Sequence, residues 1–144
     1  MLKIFSIISL IVMVVAIFAL YKIGVLFSAQ PIAIALQLIA VALLIWARIT
    51  FGVRSLHAAA NPTEGGLVST GPYRYIRHPI YTAACLFGWA GILVHLSLVS
   101  VAWGVLLFLG ALVRMLAEER LVKQRYPEYV EYSRVTSRMI PHVF

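Results

Sequence analysis

Four apolar runs, residues 4–26, 31–46, 80–96 and 98–116, take up most of the chain and leave it very few ways to fold. A bilayer core of about 30 Å calls for roughly 20 apolar residues per helix. Backbone polar groups in lipid must be satisfied within the segment, so each run predicts a helix. The second run is short and reaches full length through Ile49 and Phe51 if Arg48 snorkels to the interface. Composition agrees: of 144 residues, 62% are hydrophobic and 12% charged, where soluble domains carry about 25% charged residues. The expectation is an all-α polytopic membrane protein, one domain over residues 1–144, with four transmembrane helices and a cytoplasmic C-terminal tail over 117–144. The first run reads as a retained span, because no small-residue cleavage site follows it and Tyr21-Lys22 leads into more apolar sequence. Cys85 stands alone in an apolar run, so it predicts packing and neither an intrachain disulfide nor a thiolate metal cluster.

The net charge of +7 does not indicate nucleic acid, since the basic residues cover no soluble face. They report topology. Lys3 precedes the first run, and Lys22 lies near its far end, toward the connection to the second. Arg48, Arg54, Arg74 and Arg77 lie between the second and third runs, and six more residues, from Arg114 to Arg138, lie at or beyond the end of the fourth. With both termini cytoplasmic, Lys22 alone of the twelve falls on the opposite side, which is the arrangement the positive-inside rule requires. The expected location is a bacterial or archaeal inner membrane.

The spans themselves carry little chemistry. The first has Ser6 and Ser9 and reads as an anchor; the second has Gln37, for which an interhelical hydrogen bond is the expected use. Arg48 and Arg54 read as orientation and headgroup contacts, and His57 as an interfacial polar group. Asn61-Pro62-Thr63-Glu64-Gly65-Gly66 is a cluster of turn formers in a cytoplasmic loop. His95, near the far side, has no acidic or histidine neighbour in sequence.

The informative stretch is Gly71-Pro72-Tyr73-Arg74-Tyr75-Ile76-Arg77-His78-Pro79-Ile80-Tyr81, immediately before the third run. Its prolines fix their own φ and push Gly71 and His78 toward extended backbone. Pro79 suits the first helical turn, with His78 as N-cap and an exposed helix N-terminus beside it. A tight turn near residues 97–100 makes the third and fourth spans an antiparallel hairpin, which returns the chain to the same face. There Arg114 and Glu118, four apart on a helix, can pair, and adjacent Glu119 points elsewhere. In the tail, Tyr126, Tyr129 and Tyr132 recur every three residues, as in an interfacial helix with an aromatic belt, which Pro127 interrupts unless it opens a new helix. The hairpin thus brings carboxylates, arginines and an apolar wall to one interface. Such a pocket suits a small cofactor with amino, carboxylate and ribose groups beside a lipid-borne acceptor. No P-loop, zinc-protease or nucleophile-elbow motif is present.

From Leu67 through Tyr81, followed by Glu118-Glu119 and then Tyr129, Tyr132, Arg138 and Pro141, the chain resembles the isoprenylcysteine carboxyl methyltransferase family, whose broad pattern the phospholipid methyltransferases share. The resemblance runs from about Ala47 to Pro141. It departs at Ala83, where the family usually has glycine, and at Tyr126-Pro127, where the spacing from Glu119 to Tyr129 is one residue short. It implies a membrane methyltransferase that uses S-adenosylmethionine on a lipophilic acceptor. Arg77, His78, Pro79, Tyr81, Glu118, Glu119 and Tyr129 would bind the cofactor, and Arg48, His78 and Glu119 would serve catalysis, Arg48 on the acceptor side. No metal is implied. The alternatives are a phospholipid N-methyltransferase, a small thiol or amine methyltransferase, a structural membrane protein, and a lipid-binding regulatory subunit that keeps the fold without activity.

Overall fold

The computed structural model describes residues 2–52 and 66–144. Arg54, His57 and all of the 61–66 turn cluster except Gly66 lie outside the described residues. Among the described residues five α-helices follow one another: α1 (Leu2–Lys22), α2 (Pro31–Phe51), α3 (Pro79–Val94), α4 (Leu98–Arg125) and α5 (Tyr129–Val135), with a 3-10 turn over Gly71–Arg74 before α3. The architecture is all-α and polytopic. Helices α1, α2 and α4 are long and apolar enough to cross a membrane, and α3 is a shorter apolar helix.

Several boundaries differ from the sequence expectation. Helix α1 stops at Lys22 rather than continuing to residue 26, because the amides of Val25 and Leu26 both fold back onto the Leu20 carbonyl. Helix α3 has 16 residues, about 24 Å of rise. Helix α4 runs on to Arg125, nine residues past the expected end of its apolar part, so its polar last turns extend beyond the stretch that crosses the bilayer. The tail does not form one belt helix. The break falls at Tyr126–Glu128, and α5 starts afresh at Tyr129.

Packing runs in the order α1–α4–α3–α2, so the first helix sits beside the fourth and the second beside the third. At one end the α1–α2 connection tucks against α3, and Val25 and Leu26 pack with Leu20 and Ile92. Gln37 on α2 donates to the Leu26 carbonyl at 2.6 Å and faces the Phe87 carbonyl of α3 at 3.5 Å, which is the interhelical use expected of it. The α3–α4 hairpin closes through a capping box in which the Ser97 hydroxyl accepts from the Ser100 amide and the Ser100 hydroxyl accepts from the Ser97 amide, both at 3.0 Å. Cys85 is buried in the central apolar cluster. The opposite end carries nearly all the charges, Lys22 being the exception.

Candidate active site

His78 is the N-cap of α3 and Pro79 its first residue, as their order predicts, but the helix N-terminus is not exposed: both residues are buried. The tail covers them. Ile76 and Ser137 form a parallel bridge, the Arg77 amide donates to the Ser137 carbonyl at 2.8 Å, and the His78 amide donates to the Arg138 carbonyl at 3.0 Å. The Thr82 hydroxyl spans the His78 and Met139 carbonyls, 3.1 Å from each. Backbone at the two pre-proline positions also departs from the extended expectation. Gly71 has φ of 56°, a left-handed value open to glycine, and a β-carbon there would lie 2.5 Å from the Thr50 hydroxyl of α2. His78 has φ of −127° but ψ of only 55°, short of extended.

These contacts aim Arg77 and His78 at the end of α4. Glu119, 5% exposed, receives the Arg77 Nε at 3.0 Å, lies 3.3 Å from His78 Nε2, and is 3.3 Å from the Arg138 Nε of the tail. Burial alone would raise its pKa, but the hydrogen bond and charge of His78, then Arg138 and Arg77, outweigh burial and hold it at about 2. The Arg77 guanidinium also donates to the carbonyls of Ser133 and Thr136.

Glu118 belongs to a second set. The Tyr81 hydroxyl donates to its Oε1 at 2.5 Å, and Arg114 Nε lies 3.3 Å from the same oxygen, forming the i,i+4 pair expected from spacing. Arg114 Nε donates in turn to the Tyr81 hydroxyl at 2.6 Å, and its Nη1 donates to the Ser6 carbonyl of α1 at 2.9 Å. Helix α1 is therefore more than an anchor. Glu118 Oε2 lies 3.9 Å from His78 Nδ1, so the imidazole has one glutamate on each side.

Of the residues singled out from sequence, Arg77, His78, Tyr81, Glu118 and Glu119 meet directly. Pro79 contributes backbone geometry only. Tyr129 is buried beneath them and stacks edge-on to Tyr132 at 5.6 Å. Burial, then the negative charge of Glu119, raises the Tyr129 pKa. The Tyr132 hydroxyl donates to the Tyr73 carbonyl at 2.6 Å, so Tyr132 holds the loop and Tyr129 is buried against it rather than standing in a belt. Arg48 sits on the last turn of α2, where its charge acts on the Tyr73 hydroxyl, on which the charge of Glu118 also acts. Sequence reasoning had assigned no role to Arg138 or Thr136. Arg138 stood in the motif without a function, and nothing local to residues 136–138 signals pairing with a loop some sixty positions earlier.

A family model described as phospholipid methyltransferase matches residues 29–129. That stretch holds the loop, the hairpin and both glutamates. The chain belongs to the phospholipid methyltransferase family. No curated protein and no solved structure matches it. Membership makes this a membrane methyltransferase fold, and in this phospholipid methyltransferase homologue α1 and the tail beyond Tyr129 lie outside the matched stretch while contributing Ser6, Thr136 and Arg138 to the polar end.

Proposed function

We propose that residues 1–144 form one membrane domain whose polar end faces the cytosol, both termini on that side, binds S-adenosylmethionine, and methylates the carboxylate of a lipophilic acceptor, as in isoprenylcysteine carboxyl methylation. The observation that carries this reading is the meeting of Arg77-His78 with Glu118-Glu119, about forty residues apart in sequence, at the boundary of three membrane-length helices.

The donor set suits the cofactor. Glu118, with a side chain 23% exposed, has Oε2 beyond hydrogen-bond reach of His78 and can take an ammonium or a ribose diol. Arg138, 33% exposed, can take a carboxylate. Arg77, His78, Tyr81 and Glu119 would complete the binding surface, with Pro79 and Tyr129 shaping it. Bound there, S-adenosylmethionine supplies an activated methyl group, so the chain's own task is orientation and exclusion of water. His78, held between two glutamates, is fixed in place, and Arg48 would orient the acceptor carboxylate.

The acceptor class follows from proton bookkeeping. A carboxylate is nucleophilic as it stands, whereas an amine or thiol must first lose a proton to a base. Among the described residues, Glu119 is held near pKa 2 by its hydrogen bonds with His78, Arg138 and Arg77, Glu118 is bound by Tyr81 and Arg114, and both ring nitrogens of His78 face carboxylates. None is placed as a ready base, which supports a carboxylate. The second reading, methylation of a phospholipid amine, is favoured by the family match itself.

Incubating the detergent-purified protein and membranes with methyl-labelled S-adenosylmethionine separates the readings. Label released by base as methanol marks a carboxyl ester, and base-stable label in a lipid amine selects the second reading. Failure to bind the cofactor in several detergents and in lipid would leave a structural membrane protein.

A further inference from the structure

Tyr73 is tied to the tail through its carbonyl, but its side chain is built into the polar end as well. It sits on the 3-10 turn over Gly71–Arg74, is 6% exposed, and packs its ring on Phe51 with centroids 5.3 Å apart. Phe51 and Arg48 are three apart on α2 and so share a face of that helix. The backbone around Tyr73 is held on both sides: its amide donates to the Thr70 carbonyl at 3.1 Å, and its carbonyl receives the Tyr132 hydroxyl. Tyr81 and Tyr132 commit their hydroxyls to Glu118 and to this loop. Those of Tyr73 and Tyr129 have no hydrogen-bond partner among the described residues, and Tyr129 lies on the Glu119 side. Every fully buried side-chain nitrogen and oxygen among the described residues is satisfied, so the Tyr73 hydroxyl is the end of a buried side chain that a ligand can reach. Burial, then Tyr132 and Glu118, raises the pKa of this phenol, and Arg48 lowers it. The hydroxyl keeps its proton, and it lies within the fields of both Glu118 and Arg48. It is a hydrogen-bond donor and not a base.

We propose that Tyr73 is an acceptor-binding residue: its hydroxyl donates a hydrogen bond to the acceptor carboxylate that Arg48 attracts, and holds that group between α2 and the Glu118 side of the site. The inference rests on the carboxyl-methylation reading and adds the group that selects a free acid over its ester. A charged carboxylate oxygen accepts a hydrogen bond about twice as strong as a neutral ester carbonyl does. The contact therefore weakens once the acid has become an ester, which favours release of the product. The proton stays on Tyr73 throughout.

Equilibrium binding of S-farnesylcysteine and of its methyl ester to the detergent-purified full chain tests it, with S-adenosylhomocysteine present so that nothing turns over. The wild type should prefer the acid. Tyr73→Phe keeps the ring on Phe51 and removes no hydrogen bond within the described residues, so its thermal midpoint should stay where it was. Acid binding should weaken about tenfold in that variant, the worth of one hydrogen bond to a charged group, with binding of the ester and of S-adenosylmethionine unchanged. Tyr75→Phe, at an exposed tyrosine of the same loop, should alter none of these. A wild type that prefers the acid, with Tyr73→Phe preferring it as strongly, overturns the role of Tyr73 and leaves the carboxylate reading standing. An equal loss in Tyr75→Phe does the same, and weakened S-adenosylmethionine binding in Tyr73→Phe moves the hydroxyl to the cofactor and also overturns it. A wild type that binds the acid no better than the ester overturns the carboxylate reading and the role of Tyr73 together.

Discussion

The two ends of the bundle solve the same problem with different chemistry. Both must satisfy polar groups where helices stop. At the far end the partners are neutral: Gln37 on the Leu26 carbonyl, and the Ser97–Ser100 capping box. At the polar end they are ionic: Glu119 amid Arg77, His78 and Arg138, and Glu118 amid Arg114 and Tyr81. Every buried side-chain nitrogen and oxygen among the described residues is satisfied, so satisfaction does not distinguish the ends. What distinguishes them is the penalty for losing a partner. A neutral bond is worth about 1 kcal/mol net, whereas breaking a buried ion pair strands a charge and costs roughly 3–5 kcal/mol. A chain that only needed to close its helices could do so with serines. Concentrating the ionic solution at one end is what a site for a charged ligand requires.

The largest expected effect is that of Glu119→Ala. It leaves Arg77 and His78 buried without their shared carboxylate and should destabilise the protein by about 3–5 kcal/mol, read as a lower thermal midpoint in one fixed detergent, with loss of S-adenosylmethionine binding. If the midpoint hardly moves, the contrast between the ends fails. The same interaction can be read without mutation. Because the folded pKa of Glu119 is depressed to about 2 from an ordinary 4.5, its stabilising contribution is complete above about pH 4.5 and is lost as pH falls toward 2. Glu119→Gln should flatten that part of the midpoint–pH curve.

A smaller effect is expected at the far end from Gly91→Ala. A β-carbon at Gly91 would run into the Val25 carbonyl, and overpacking of this kind costs about 1–3 kcal/mol. Cofactor affinity should stay unchanged in the protein that remains folded; a coupled loss of affinity would show that the ends communicate. The smallest change is Ser97→Ala, which removes the cap of α4 for about 1 kcal/mol and should leave methyl transfer per folded molecule as it was.

Much of the fold was legible because lipid permits so few structures. Apolar length called the helices, Pro79 placed the start of α3, and the i,i+4 spacing of Arg114 and Glu118 called their ion pair. Helix ends were read less well. Residues 23–26 are as apolar as a helix, yet two amides there turn back on Leu20, and the polar turns after residue 116 stay helical because Glu119 is anchored by partners from elsewhere. The aromatic belt inferred from Tyr126, Tyr129 and Tyr132 failed for a related reason: Tyr126 caps α4 while the other two lie in α5, and period three describes which residues would share a face, not what that face touches.

The sequence by itself determined a helical membrane protein with its charges gathered on one side, because hydrocarbon forbids unpaired backbone and the cost of moving charge sets orientation. Only the tertiary structure decided that residues 136–138 pair with residues 75–78, that Arg138 completes the shell of Glu119, and that α1 reaches the site through Ser6. Those contacts join segments remote along the chain, and their energies depend on distances of a few ångströms that no local pattern of residues encodes.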